Sequence, residues 1–243
     1  MPKYNIMVDP ALTHDSKQAF KVNDLCSKEN LSFAAHLSGL AYKTEDLIRT
    51  EIVGLGGTPE KLHFLYGKNL FGFVAKFSDF AFIVFRGTQA RGDWKDNLDI
   101  RVVRTFYGEV HYGFARCLDS LSKQIIHEVI ASFDKPYKLC LTGHSKGGAL
   151  AMLATAVLVK NGYTPLVLYT FGQPKVGLKS FVKWWDTNVK TQCFRVENSG
   201  DIVPHLPPSL VDIPFLMIFA LKAIVCSINF ILNRLFGRKK EQN

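Results

Sequence analysis

Ser145 is the residue whose setting most invites chemistry. It stands in Thr142-Gly143-His144-Ser145-Lys146-Gly147-Gly148-Ala149, with the apolar run Leu139-Cys140-Leu141 before it and an Ala-rich apolar run, 149–159, after it. That order reads as strand, sharp turn, helix, with Ser145 at the tip. A hydroxyl held on such a turn leaves no room for neighbouring Cβ atoms, which accounts for Gly143 and Gly147 two residues either side. The turn also aims the first N–H groups of the following helix at whatever the Ser attacks. The same letters would suit an ordinary Gly-rich helix start, so the turn needs partners. Two lie at the ends of other strand-like runs. Thr88 follows 80–85 and Arg86-Gly87, and Asp201 follows 192–196. The order hydroxyl donor, Ser, Asp fits the site of an α/β hydrolase, where residues at the ends of sheet strands gather. A Gly-Thr pair is also a common turn.

The elements that must position these residues are legible in outline. Residues 29–43 have the apolar spacing of a helix with a core face, and His36 within it reads as a packed or half-exposed histidine. Residues 54–59, Gly-Leu-Gly-Gly-Thr-Pro, break the chain. Strand-like runs follow at 62–66, 72–77, 80–85 and 100–103. A helix is expected from about 115 to 133, with Leu118, Leu121, Ile125 and Val129 on one face and Pro136 as its stop. The helix after Ser145 ends at Asn161-Gly162, and small residues along it allow close approach to a sheet. Residues 166–171 form an unbroken apolar strand, the pattern of a sheet buried on both faces. A helix over 178–187 and a strand over 192–196 complete the alternation. The fold class is therefore α/β, with a mostly parallel sheet covered on both sides.

Bulk properties narrow the function classes. The chain has 243 residues, 47% hydrophobic and 21% charged, which suits one folded domain with a full core. The net charge is +9. Of this, Lys222, Arg234, Arg238, Lys239 and Lys240 against Glu241 place +4 beyond residue 212. No cluster of Lys and Arg with interleaved aromatics marks a nucleic-acid surface, and nucleic acid is not an expected partner. Five cysteines at 26, 117, 140, 193 and 226 form no C-x-x-C pair, which suggests free thiols in a reducing compartment. Residues 1–20 contain no apolar core of a secretory signal, so the expected location is cytoplasmic with possible membrane association.

Five ordered segments resemble the class 3 lipase family, the fungal lipase-like hydrolases. They are Phe85-Arg86-Gly87-Thr88, His111-Tyr112-Gly113-Phe114, Gly143-His144-Ser145-Lys146-Gly147-Gly148-Ala149, Phe171-Gly172-Gln173-Pro174-Lys175-Val176-Gly177, and Asp201-Ile202-Val203-Pro204-His205-Leu206-Pro207-Pro208. The resemblance implies an α/β-hydrolase fold over residues 1–212 and a serine ester hydrolase acting on acylglycerols or other lipid esters. It implies Ser145 as nucleophile, Asp201 as the acid that orients a histidine, and Thr88 with the backbone N–H of Lys146 as oxyanion hole. The family usually has Leu where Lys146 stands. The contribution comes from the backbone, so that change is tolerable. Such donors are worth on the order of 3–4 kcal/mol each. No metal or organic cofactor is implied, and nothing sets the oligomeric state. The stretch around Asp93-Trp94 falls where family members carry a lid. Acyl transfer or thioester hydrolysis on the same scaffold stays open.

The departure is the base. The family's catalytic His follows the Leu-Pro-Pro, yet residues 206–243 contain no His. His144 adjoins the nucleophile on a tight turn, and His111 matches a structural family position. His14, His36, His63 and His127 have no reason to converge on Ser145. His205 is left, four residues after Asp201 and behind a rigid Pro204. Without it the alternative is a catalytically impaired lipid-binding or membrane-associated pseudohydrolase. Where a His loop would come, 213–236 is apolar and 238–240 basic. The stretch is long enough to span a bilayer. Lys222, Asn229 and Asn233 fall within about 40° on a helical projection, giving a polar stripe on an apolar helix. Residues 213–240 are therefore a candidate membrane-surface contact. A helix packed on another apolar surface and an altered C-terminus are the other readings. The membrane reading predicts that the full chain co-sediments with anionic liposomes and that a version ending at residue 212 stays in solution. Equal binding by both discards it.

Overall fold

Phe80–Phe85 is buried at every position, and its side chains alternate between two separate cores. Ala81, Ile83 and Phe85 face one; Phe80, Phe82 and Val84 face the other. A strand apolar on both sides has to lie inside a three-layer structure. The computed structural model describes residues 20–67, 70–88, 101–123, 125, 133, 136–198, 200, 201 and 203–206. Its strands in chain order are β1 (His63–Gly67), β2 (Leu70–Lys76), β3 (Phe80–Phe85), β4 (Val102–Thr105), β5 (Gly108–His111), β6 (Lys138–His144), β7 (Val167–Phe171) and β8 (Gln192–Val196). The helices are α1 (Lys28–Leu40), α2 (Glu45–Gly54), α3 (Tyr112–Lys123), α4 (Lys146–Lys160) and α5 (Lys179–Asn188).

Among the described residues, one six-stranded sheet runs β1-β2-β3-β6-β7-β8, and β4 with β5 forms a separate hairpin. β1, β2 and β3 make an antiparallel meander, while β3, β6, β7 and β8 pair in parallel. Only β2 thus runs against the other strands of the sheet. Phe114 and Leu118 of α3, Leu150 and Leu153 of α4, and Phe181 and Trp185 of α5 share the core on one face. Phe33 and Leu37 of α1, with Ile48 and Ile52 of α2, fill the other. The α/β-hydrolase arrangement, a mostly parallel sheet with helices on both faces, is the one the sequence leads one to expect.

Particular edges differ. The helix α2 is an additional element, capped by Thr44 and opened by Glu45 and Asp46. The hairpin strand β5 takes up residues that read as a lead-in to a helix. It is held from outside, by the His111 N–H donating to the Val176 carbonyl at 3.0 Å and by a bridge from Val110 to Gly177. The helix α3 begins at Tyr112, three residues earlier than its apolar spacing suggests. None of the four described thiols, Cys26, Cys117, Cys140 and Cys193, is in a disulfide. Burial pushes the Cys140 thiol far up and that of Cys193 to about 12.

The chain divides into two compact units, Met1–Pro204 and His205–Asn243. Of the second, the described residues are His205 and Leu206. The expected boundary at 212/213, the apolar helix over 213–236 and the lid stretch at 93–94 lie outside the described residues. No helix among the described residues is long and apolar enough to cross a membrane.

One buried polar contact ties α1 to the strand that leads to Ser145. The Thr142 and Ser38 hydroxyls lie 2.8 Å apart, and both reach the Ala34 carbonyl, at 3.2 and 3.0 Å. All of these groups are buried, so each lost bond leaves a polar atom without water. Thr142→Val keeps the shape and removes the hydroxyl. It is expected to cost about 1–2 kcal/mol in a urea titration; an unchanged midpoint would refute the tie.

Candidate active site

The turn between β6 and α4 is built by close backbone contact. A Cβ at Gly143 would overlap the Gly147 carbonyl and lie 2.8 Å from the Gly148 nitrogen. A Cβ at Gly147 would overlap the Phe85 carbonyl oxygen and lie 2.9 Å from the Arg86 carbonyl carbon. Helix α4 therefore starts flat against the end of β3, and both glycines are steric necessities. Between them Ser145 takes φ 55° and ψ −126°. It is the one non-glycine residue with positive φ among those described. Such a backbone costs of order 1–3 kcal/mol and persists only where its surroundings impose it. Here the imposition is visible. The Ser145 N–H donates to the Phe171 carbonyl at 2.8 Å, and its own carbonyl accepts from Gly148 at 2.9 Å. Lys146 opens α4, so its N–H belongs to the first turn, whose donors an α-helix does not use internally.

Gly87 and Thr88 come against this turn from β3. A Cβ at Gly87 would overlap the Tyr42 hydroxyl, lie 2.7 Å from the His144 carbonyl oxygen and 3.4 Å from Ser145 Cβ. The Gly87 N–H donates to the Tyr42 oxygen at 3.1 Å, and that oxygen lies 3.0 Å from His144 Nδ1. Thr88, half-buried, is the next residue. Burial holds the His144 imidazole below its ordinary range, with the Asp201 carboxylate pulling the other way.

Asp201 is placed by its own loop. Its N–H donates to the Asn198 carbonyl, and its Oδ1 accepts the Val203 N–H, both at 2.9 Å. Oδ2 lies over Gly172, where a Cβ would come 2.7 Å from it and 3.8 Å from His144 Nε2. Gly172 itself has φ 55°, so glycine is required there on two counts. Arg195 ties this loop to the one after β7. Its Nη2 donates to the carbonyls of Gln173 at 2.6 Å and Pro204 at 3.2 Å, while its Nε pairs with Glu197. His144, Gly172 and Asp201 line a cavity of about 560 Å³ at the ends of β7 and β8, a size that admits a small ligand.

Ser145, the start of α4 at Lys146 and the Gly87-Thr88 segment are thus brought to one point, with Asp201 beyond Gly172 and His144. His205 closes the 3-10 turn Val203–His205, is half-buried, and opens the second unit. His111 is buried, edge-on to Phe114 at 6.3 Å, and His36 Nε2 lies 3.5 Å from the Glu51 carboxylate. His14 and His127 lie outside the described residues. Sequence reasoning missed Tyr42 and Arg195, and gave Gly172 as part of a resembling segment without its place beside Asp201.

Residues 82–211 match the family described as Lipase (class 3). The chain belongs to the class 3 lipase family. Thr88, Ser145, Asp201 and His205 all fall within the matched span. A lipase of Rhizomucor miehei is 34% identical over 140 residues, covering 53% of this chain and 38% of that protein. A secreted mono- and diacylglycerol lipase of Fusarium solani is 38% identical over 101 residues, covering 41% and 30%. The chain thus spans less than half the length of these relatives. A fungal lipase solved as an inhibitor complex superposes with a TM-score of 0.61 at 28% identity, covering 79% of this chain and 77% of that one. The class 3 lipase fold is therefore shared through most of the chain.

The strain at residue 145 makes a prediction that needs no activity. Glycine adopts the observed φ freely, and alanine does not. Ser145→Gly is expected to be more stable than Ser145→Ala by about 1–2 kcal/mol in chemical denaturation. Equal stability of the two would show that the backbone there is unstrained.

Proposed function

We propose that the protein is a lipid ester hydrolase that forms an acyl-enzyme on Ser145. The observation that carries this is the strained Ser145 backbone, held between two sterically required glycines at the start of a helix. A turn that costs free energy at one hydroxyl residue has a use for that hydroxyl. Membership of the class 3 lipase family, and relatives named as lipases, supports the substrate class.

In this reading the Ser145 Oγ attacks the ester carbonyl carbon as a base takes its proton. The negative charge that develops on the carbonyl oxygen is met by the Lys146 N–H, at the positive end of α4, and by Thr88. The alcohol leaves with the proton returned by the base. Water then attacks the acyl-serine by the same route, releasing the fatty acid and restoring Ser145. The carboxylate of Asp201 orients the imidazole and offsets its positive charge. We assign the base to His205, on its place four residues after Asp201 and behind Pro204. Acylglycerols are the expected substrates. They would be met at a lipid surface, where the apolar 213–236 and basic 238–240 would add affinity.

The second reading is a lipid-binding pseudohydrolase. It rests on residues 206–243, which contain no histidine. One set of measurements separates the two. The hydrolase reading expects fluorophosphonate labelling of the wild type that is lost in Ser145→Ala. It also expects p-nitrophenyl ester turnover that falls about 100-fold or more in His205→Ala and about 100-fold in Thr88→Val. No labelling of the wild type supports the pseudohydrolase. Labelling and turnover that survive His205→Ala remove His205 as the base.

A further inference from the structure

Tyr42 is used by neither reading, yet its hydroxyl touches two of the site's loops. It follows α1 and its cap Ala41, and it reaches across the sheet end to residues far along the chain. The Gly87 N–H, 45 positions on, donates to it at 3.1 Å, and His144 Nδ1, 102 positions on, lies 3.0 Å away. The chemistry of the three groups favours one direction for the second bond. The phenol oxygen is already an acceptor from Gly87 and has one proton to give. Burial raises the phenol's pKa and lowers that of the His144 imidazole, which favours the neutral form of each. A neutral imidazole has one bare nitrogen and one N–H. If the Tyr42 proton goes to Nδ1, both the phenol and Nδ1 are satisfied, and the His144 N–H must sit on Nε2. That nitrogen is the one beside Gly172, on the side of Asp201 Oδ2.

We propose that Tyr42 is a positioning residue of the Ser145 site, whose hydroxyl pins the Gly87-Thr88 segment to the turn and fixes His144 as the Nε2–H tautomer facing Asp201. The proposal rests on the hydrolase reading for what is positioned, and adds a residue and a tautomer to it. Gly87 shows why the pin matters. It is packed between the Tyr42 hydroxyl, the His144 carbonyl and Ser145 Cβ with no room for a side chain. A displacement of a few tenths of an ångström there moves Thr88 relative to Ser145. The same bond removes His144 from the list of bases. Its Nδ1 is taken by Tyr42, and its Nε2 carries the proton.

The test uses the full chain with Tyr42→Phe, which removes one oxygen and keeps the ring. Imidazole nitrogen NMR of the wild type is expected to show His144 with Nδ1 bare and Nε2 protonated. In Tyr42→Phe the second tautomer is expected to appear. Ester hydrolysis is expected to lose about tenfold in kcat, less than the loss of a direct oxyanion donor, with KM within about twofold. A wild-type tautomer pattern or a wild-type kcat in Tyr42→Phe overturns the proposal. Should that variant not fold, His144→Leu removes the same bond from the other partner. His144→Asn returns an acceptor where Nδ1 was and is expected to recover most of the lost kcat; equal rates in Leu and Asn variants overturn the proposal. Fluorophosphonate labelling of the wild type separates this from its parent. An unlabelled wild type sinks the hydrolase reading, and the tautomer result alone then decides the role of Tyr42.

Discussion

The approach of two backbones, the end of β3 and the start of α4, is the constraint on which the site depends. At Gly147 the helix comes so near the Phe85 carbonyl that even a methyl group is excluded. Three consequences run from that contact. The strand β6 must turn sharply, which forces Ser145 into a positive φ. The first N–H groups of α4 are brought level with the end of the sheet. The segment leaving β3, Gly87 and Thr88, has to cross directly over the turn. The alternating cores on both faces of β3 make the contact possible, because they hold the strand in place from above and below. A hydrophobic core is permissive about small shifts; a carbonyl in contact with a glycine is not. The precision of the site is therefore a matter of repulsion as much as of attraction.

Polar ties then fix what the packing leaves loose. They come from different parts of the chain. Thr142 is bound to α1, Arg195 spans from Gln173 to Pro204, and Tyr42 joins Gly87 to His144. Each holds a carbonyl, an N–H or a ring nitrogen, and each joins parts of the chain that no strand pairing connects. Of the residues so held, His144 lines the cavity over Gly172.

How far the sequence discloses this depends on the range of the forces involved. The turn at Ser145 is legible because its requirement is local: two glycines and a small-residue helix appear within a few positions. Strand β8 is legible to the residue, since an apolar run between polar turns has few other uses. The helix α2 is weakly marked: Thr44, Glu45 and Asp46 open it, but Ile48 and Ile52 are its only buried pair, and the break from Gly54 to Pro59 is the stronger local signal. Strand β5 could not be read locally, as its pairing is secured by Val176 and Gly177, which lie more than sixty positions on. Tyr42 is the extreme case. Nothing around it in the chain distinguishes it from any aromatic at a helix end, and its meaning comes from partners that only the fold supplies. The tie from Arg195 to Gln173 and Pro204 is invisible for the same reason.

The sheet order has a consequence for how the protein reaches its native state. β1, β2 and β3 pair with their immediate neighbours in sequence, so the meander closes short loops. β3 and β6 pair in parallel across the whole interval from Phe80 to Gly143. Closing so long a loop costs chain entropy before any contact repays it, and such pairings are slow to form. The groove between β3 and β6 is also where α4 comes to rest on Phe85. The strained turn accordingly depends on that long-range closure, since it rests on Phe85 of β3. During synthesis, the segment from α1 to β3 emerges well before Ser145 does. The reactive geometry then arrives with the closing of the sheet.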